Sequence, residues 1–307
     1  MPANILPLPR GLLRAWMVAL AMAALIATDA SAATARRDVI GTLRVHVAEA
    51  EETLHGIAIR NNLGYVEIVA ANPGVDPWQP REGTGILLPT MHILPDAERR
   101  GIVINLADMR LYWFRPGRRP VSMPLGIGSE GKDSPLGSTK VLRKRANPTW
   151  YPPPSIRAED PTLPRRVWPG PDNPLGAHAL YLGWPAILIH GTNQPYSIGR
   201  RVSHGCFRLH PDKVAMLYRE VPAGTPVRVV DQAVKIGWLE GHLYLEIHPT
   251  LAQATEIEET GNFLPEPAPD LRERVLHAAG PSAERVDWMA VTRAAEARSG
   301  VPVRITR

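Results

Sequence analysis

Short apolar runs punctuated by Gly and Pro fill the middle of the chain. Ile102 to Asn105 and Leu111 to Phe114 flank a polar turn, which predicts a β-hairpin. Further runs follow at Met123 to Ile127, Ser138 to Leu142, Ala179 to Leu182, Ala186 to His190, Val227 to Val230 and Leu243 to Ile247. Many short strands separated by turn residues predict a mainly β fold of the sandwich or barrel kind. One helix interrupts them: Pro211-Asp212 can open it, and Val214, Leu217, Tyr218 and Val221 fall on one face. Ahead of the β region, Leu43 to Val47 alternates like a strand, and Thr53 can cap a helix carrying Leu54, Ile57 and Ala58. Gly64 breaks that helix, Tyr65 to Ala71 reads as a second one, and Ile86 to Pro89 closes the unit as a strand. After Pro249 the pattern changes again. Residues 250–260 and 282–298 have helical composition and are joined by a segment containing the Pro-rich stretch Leu264 to Pro269.

Residues 147–176 are dense in proline. We expect an ordered, stiff loop wall rather than a linker, anchored by Trp150, Tyr151 and Trp168, because long loops inside a domain commonly serve as lids or binding loops. At the other end, Arg10 and Arg14 precede the apolar run Ala15 to Ala27, and Ala30-Ser31-Ala32 supplies a small-x-small site. This predicts a cleavable signal peptide over 1–32 and export to the periplasm. The run falls short of the ~20 apolar residues a spanning helix needs.

The formal charge is +5, and residues 33–250 carry a net charge near +6. A basic balance suits an anionic polymer surface as well as simple solubility. Nucleic acid is excluded as a partner, since export separates the two and no basic–aromatic stripe is present.

Cys206 is the single cysteine of the chain, so it cannot form an intramolecular disulfide. Free cysteines are commonly buried and inert, but the flanks here point elsewhere. Gly205 precedes the thiol, His204 lies two residues back and His190 sixteen back. His190 ends an apolar strand and is followed by Gly191-Thr192-Asn193. If the strands carrying His190 and Cys206 are neighbours, thiol and imidazole can meet within hydrogen-bond reach and form a thiolate–imidazolium pair, the basis of a sulfur nucleophile at neutral pH. Zinc is a weaker reading. His190, His204, Cys206 and His210 offer ligand types, but lack the compact spacing of such sites.

Two resemblances sharpen this picture. His190 followed by Ser203-His204-Gly205-Cys206-Phe207-Arg208 resembles the L,D-transpeptidase (YkuD) catalytic domain, of the ErfK/YbiS type. Pro135-Leu136-Gly137-Ser138-Thr139, Asn147-Pro148-Thr149-Trp150, Gly170 to Gly176 and Ile189 to Asn193 fit the same family. Phe207 stands where an aliphatic residue is usual. The strand–helix–helix–strand unit resembles LysM, a glycan-binding module, through Glu52-Thr53-Leu54, Ile57-Ala58, Ala71-Asn72-Pro73 and Gly85 to Pro89, with Glu51-Glu52 in place of the usual Gly-Asp. The domain organisation expected is therefore signal peptide 1–32, LysM-like module 43–90, catalytic domain 101–232 and a partly helical extension 233–307.

The family resemblance implies that Cys206 attacks a peptidoglycan stem peptide, releasing D-Ala and leaving a thioester that an amine resolves. That amine is a diaminopimelate side chain or a lysine of an outer-membrane lipoprotein. It implies His190 as general base, the Gly191 carbonyl as its orienting partner, and N–H groups near Gly205 and Cys206 as an oxyanion hole. His204 would orient or polarise, while Ser203, Arg208, Trp150 and Tyr151 would contact substrate. Glycan strands are implied partners, carbapenems implied covalent inhibitors, and no cofactor or metal is implied. The rival readings are a hydrolase on the same site, either a carboxypeptidase or a releaser of crosslinks or lipoprotein, and a non-catalytic wall-binding protein.

Overall fold

The structure is a computed structural model that describes residues 37–307, so the predicted signal peptide lies outside the described residues. Among the described residues, no helix is long and apolar enough to cross a membrane.

The first unit contains β1 (Val39–Gly41), β2 (Arg44–Val47), α1 (Leu54–Arg60), α2 (Tyr65–Ala71), β3 (Gly85–Leu88) and β4 (Met91–Ile93). β2 and β3 pair antiparallel with the two helices between them in sequence, which is the strand–helix–helix–strand order expected. Thr53 caps α1 through its hydroxyl, which accepts the Gly56 N–H at 3.0 Å. The β1–β4 pair was not foreseen, because both strands are only three residues long.

The second unit carries β5 (Gly101–Asn105), β6 (Arg110–Phe114), β7 (Val121–Pro124), β8 (Ile127–Gly128), β9 (Gly137–Ala146), α3 (Pro154–Glu159), β10 (His178–Leu182), β11 (Leu188–His190), β12 (Arg201–Ser203), β13 (Phe207–Arg208), α4 (Pro211–Glu220) and β14 (Pro226–Val230). The mainly β expectation holds. Eight strands form one mixed sheet in the order β13-β11-β10-β9-β14-β5-β6-β7, and β8 and β12 form a separate pair. The hairpin β5–β6 has Ile102 opposite Trp113. β14 lies parallel to β5, and β13 parallel to β11.

The last unit differs from the sequence reading. Beside α5 (Leu251–Thr260), α6 (Leu271–Ala279) and α7 (Trp288–Ala297) it builds a three-stranded sheet from β15 (Val234–Leu239), β16 (His242–Ile247) and β17 (Val303–Arg304). β17 is two residues long and finds its place only by pairing with β16, which no local pattern announces. Its core, with Leu243, Leu245, Val275, Val291 and Ile305, is separate from the main one.

The main core is continuous across units. It joins Leu54, Ile57 and Ile68 of the first unit to Ile104, Leu111, Ile189 and Phe207 of the second and to Ile257 of α5. A buried polar network ties the same three units. Arg110 Nη1 donates to Glu67 at 2.7 and 3.0 Å, and Lys235 Nζ lies 2.7 Å from Asp108 and 2.9 Å from Glu246. Asp108, Glu246 and His248 form a group of metal-ligand types, but the Lys235 ammonium already sits between the two carboxylates. Burial drives the Asp108 carboxyl up, yet the Lys235 charge carries it below its ordinary value. Burial likewise drives Lys235 down, yet Asp108 and Glu246 carry it above its own.

Candidate active site

Strand register assembles the site. Ala179 of β10 lies opposite Arg145 of β9 on one side and opposite His190 of β11 on the other. His190 in turn lies beside Arg208 of β13. One row across four strands thus reads Arg145, Ala179, His190, Arg208. Two residues along, the row reads Arg143, Tyr181 and Leu188, with Cys206 two residues before Arg208 continuing it. Side chains two apart on a strand share a face, so both rows present their side chains to one cleft. The cleft has a volume of about 650 Å³, and all of these residues except Ala179 line it.

The imidazole is oriented from behind. His190 Nδ1 is 2.6 Å from the Gly191 carbonyl oxygen; because that partner only accepts, Nδ1 carries the proton and Nε2 is the basic nitrogen. His190 is buried, and burial pushes its pKa down to about 4, with the Arg208 charge adding to the fall and the Gly191 bond opposing it.

The thiol is partly exposed in the same cleft. Cys206 Sγ donates to the Ala186 carbonyl oxygen at 3.3 Å, and no hydrogen bond joins it to His190 among the described residues. Burial pushes the Cys206 thiol up, while the Leu188 N–H and the Arg208 charge pull it down less strongly. Both shifts run toward the neutral thiol and the neutral imidazole, and burial is the largest cause of each.

The segment ahead of the thiol is braced by side chains. Ser203 Oγ donates to the Cys206 carbonyl at 2.6 Å, and Ser134 Oγ donates to the Gly205 carbonyl at 3.0 Å. Among the described residues, the N–H groups of Gly205 and Cys206 donate to no backbone carbonyl outside the strand ladders. Gly205 has φ +92°, and a Cβ there would meet Ile187 Cδ1 at 3.2 Å and the Asp133 carbonyl oxygen at 3.3 Å. Arg208 is half-buried, and its Nε finds no hydrogen-bond partner.

The proline-dense loop forms the opposite wall, as expected, but its anchors differ. Trp150 packs with Leu175, Ala179 and Leu188, whereas Tyr151 is 64% exposed at the cleft and Trp168 is 61% exposed and lies under Arg166. Trp168 is therefore not an apolar anchor. The loop is held instead by the fully buried Asn173, whose amide donates to the carbonyls of Pro148, Val167 and Trp168 and whose Oδ1 accepts the Leu175 N–H. A buried polar side chain serving four backbone groups explains how so proline-rich a segment stays ordered.

His204 stands at the rim. Its Nε2 lies 3.0 Å from Glu159 and 3.0 Å from Lys132 Nζ, and Lys132 also pairs with Glu159. This cluster ties α3 to the catalytic loop and leaves His204 without a bond to the sulfur. Hydrogen bonds from Lys132 and His204 hold the Glu159 carboxyl below its ordinary value. His210 pairs with Asp212.

The sequence reading placed Cys206, His190, Ser203, His204, Arg208, Trp150 and Tyr151 in one cleft, and the structure brings all seven to its lining. Gly191 and Gly205 do not line it; their carbonyls accept from His190 Nδ1 and Ser134 Oγ. It missed Arg143, Arg145 and Tyr181, which also line the cleft, and the bracing Ser134 and Asn173.

A mainly β protein with an imidazole on one strand and a thiol just ahead of the neighbouring parallel strand, both lining one cleft, is the class that fold and site define. The L,D-transpeptidase catalytic domain (YkuD) matches residues 99–229. "Probable L,D-transpeptidase YcfS" of Escherichia coli K12 is 38% identical over 279 residues, covering 87% of this chain and 85% of the relative. "Probable L,D-transpeptidase YbiS" of the same strain is 40% identical over 261 residues, covering 83% of each chain. "Probable L,D-transpeptidase ErfK/SrfK" of Salmonella typhimurium is 39% identical over 263 residues, again covering 83% of each. Among solved structures, the catalytic domain of an Enterococcus faecium L,D-transpeptidase aligns with 44% of this chain and 99% of that one, at 22% identity and a TM-score of 0.34. The chain belongs to the L,D-transpeptidase family.

Proposed function

We propose that this protein is an exported L,D-transpeptidase that acts on peptidoglycan in the periplasm, with Cys206 as nucleophile and His190 as base. The observation that supports this most directly is the register of β11 and β13, which sets Cys206 and His190 on one face of one cleft. In this reading His190 Nε2 takes the thiol proton as sulfur attacks the carbonyl between the L-centre and the terminal D-residue of a tetrapeptide stem. The N–H groups of Gly205 and Cys206 receive the developing oxyanion, a contribution typically worth about a hundred- to thousand-fold in rate per donor. The intermediate collapses by breaking the C–N bond, and His190 returns the proton to the departing D-Ala amine. An acceptor amine then attacks the thioester, His190 removes its proton, and the thiol is restored. Splitting acyl transfer in this way replaces one high barrier by two lower ones.

Arg208, across from His190, suits a substrate carboxylate. Burial is the larger cause of the fall in His190, and a carboxylate bound there offsets the lesser one, the Arg208 charge. Trp150, Tyr151 and Ser203 would bound the stem. The acceptor would be a diaminopimelate side chain or a lipoprotein lysine, the 43–90 unit would hold glycan strands, and carbapenems would acylate Cys206.

The test incubates the protein with tetrapeptide stems and both acceptor types and identifies products by mass. Crosslinked dimer or peptide-bearing lipoprotein is the expected result, and Cys206→Ala abolishes it. Tripeptide alone would make the protein a hydrolase, and transfer that survives Cys206→Ala would remove the cysteine from the mechanism.

A further inference from the structure

Among the described residues, three guanidinium groups and no carboxylate line the active cleft. One, Arg208, flanks the reacting pair on β13. The other two, Arg143 and Arg145, lie on the far side, on β9. Neither forms an ion pair among the described residues. The Arg143 guanidinium carbon instead sits 3.4 Å above the centre of the Tyr181 ring, and both residues line the cleft. The intervening Lys144 points to the other face, where its Nζ donates to the Tyr218 carbonyl at 2.6 Å. Both arginines reach the cleft because of a bulge: Tyr181 pairs with Arg143 but Leu182 pairs with Val141. The extra residue lets Val141 sit in the core while Arg143, of the same sequence parity, faces the opposite way. Bulges next to active sites commonly re-aim side chains like this.

We propose that Arg143 and Arg145 form a carboxylate-binding wall that selects the acyl-donor peptide. The inference rests on the transpeptidase reading and specifies what that site accepts. Arg145 is two strands from His190, on the order of 10 Å at the usual strand spacing. A guanidinium on its flexible stem covers part of that span, so the anion it meets lies one or two residues from the attacked carbonyl in an extended peptide. A stem peptide offers such an anion: the free α-carboxylate of its γ-linked glutamate, one residue before the acyl donor. Planar guanidinium pairs favour carboxylates of this kind over neutral amides.

Two measurements use stems carrying that glutamate as a free acid or as a primary amide. Calorimetry on the Cys206→Ala protein reads binding, and D-Ala release by the Cys206 protein reads turnover. The expected result is a preference for the free acid on the order of tenfold in Kd and in KM, lost in the Arg143→Gln/Arg145→Gln double variant and partly kept by Arg143→Lys. Both arginines are exposed, so melting curves of the variants should overlay the parent's. Equal binding of acid and amide by the parent overturns the proposal, as does a double variant that keeps the preference or that loses kcat with KM unchanged. A changed KM for acceptor alone moves the wall to the acceptor side and overturns the donor assignment. Absence of D-Ala release from every stem refutes the transpeptidase reading instead, and calorimetry still decides the carboxylate wall.

Discussion

Arg208 lies directly across from His190 on the neighbouring parallel strand, so a fixed positive charge faces the imidazole. The charge disfavours imidazolium and favours thiolate, and burial of both groups exceeds it. Burial thus favours neutral imidazole at His190 and neutral thiol at Cys206. Alkylation of Cys206 by iodoacetamide should accelerate through the alkaline range, with no plateau near neutrality. The imidazole resonances of His190 should titrate near pH 4. A rate already level at pH 6 would show an ion pair and contradict this account. Arg208→Gln should raise both midpoints.

His204 and His190 should respond very differently to substitution. The His190 imidazole has its Nδ1 locked by the Gly191 carbonyl, whereas His204 is tied to Glu159 and Lys132 at an exposed rim. Exposed ion pairs contribute little. His204→Ala should therefore lower kcat/KM by roughly tenfold or less, against a loss on the order of a thousandfold for His190→Ala. The two values, measured by D-Ala release, test whether the rim cluster positions α3 or takes part in chemistry.

Gly205→Ala should lower activity by about a hundredfold or more while the protein stays folded. A residue with a side chain at φ +92° costs on the order of 1–3 kcal/mol, and the new methyl crowds Ile187 and Asp133. The cheapest relief rotates the peptide that aims the Gly205 and Cys206 N–H groups. Kinetics beside a melting curve separate this from unfolding. Activity within a fewfold of the parent would show that these amides do not set the rate.

The thiol, the imidazole and the backbone around them were legible because they lie in short motifs whose chemistry is local. Arg143 and Arg145 were not legible. Read with strict alternation, Val141, Arg143 and Arg145 belong to one face, and only the bulge opposite Tyr181 and Leu182 separates them. Asn173 was passed over because its four backbone partners are distant in sequence or lie within loops. The sheet of β15, β16 and β17 was hidden for a related reason, since β17 pairs with β16 across some sixty residues. The burial that lowers His190 and raises Cys206 comes from tertiary packing, which motifs do not report.

The last prediction concerns the buried network that joins the three units. Lys235 pairs with Glu246 within the C-terminal sheet and reaches Asp108 across the boundary with the main sheet. Removing one partner leaves charge stranded in the interior, which costs about 3–5 kcal/mol. Lys235→Met should lower urea stability by that amount, and Asp108→Asn should do likewise. The pH dependence follows from the shifts. The folded Asp108 carboxyl lies below its ordinary value, so its contribution is present above about pH 4 and lost as pH falls through the folded pKa. The folded Lys235 ammonium lies above its ordinary value, so its contribution is present below about pH 10.4 and lost as pH rises through the folded pKa. Lys235→Met should flatten the alkaline limb of the stability profile. A variant as stable as the parent, with that limb intact, would show that the three units are held by their apolar contacts alone.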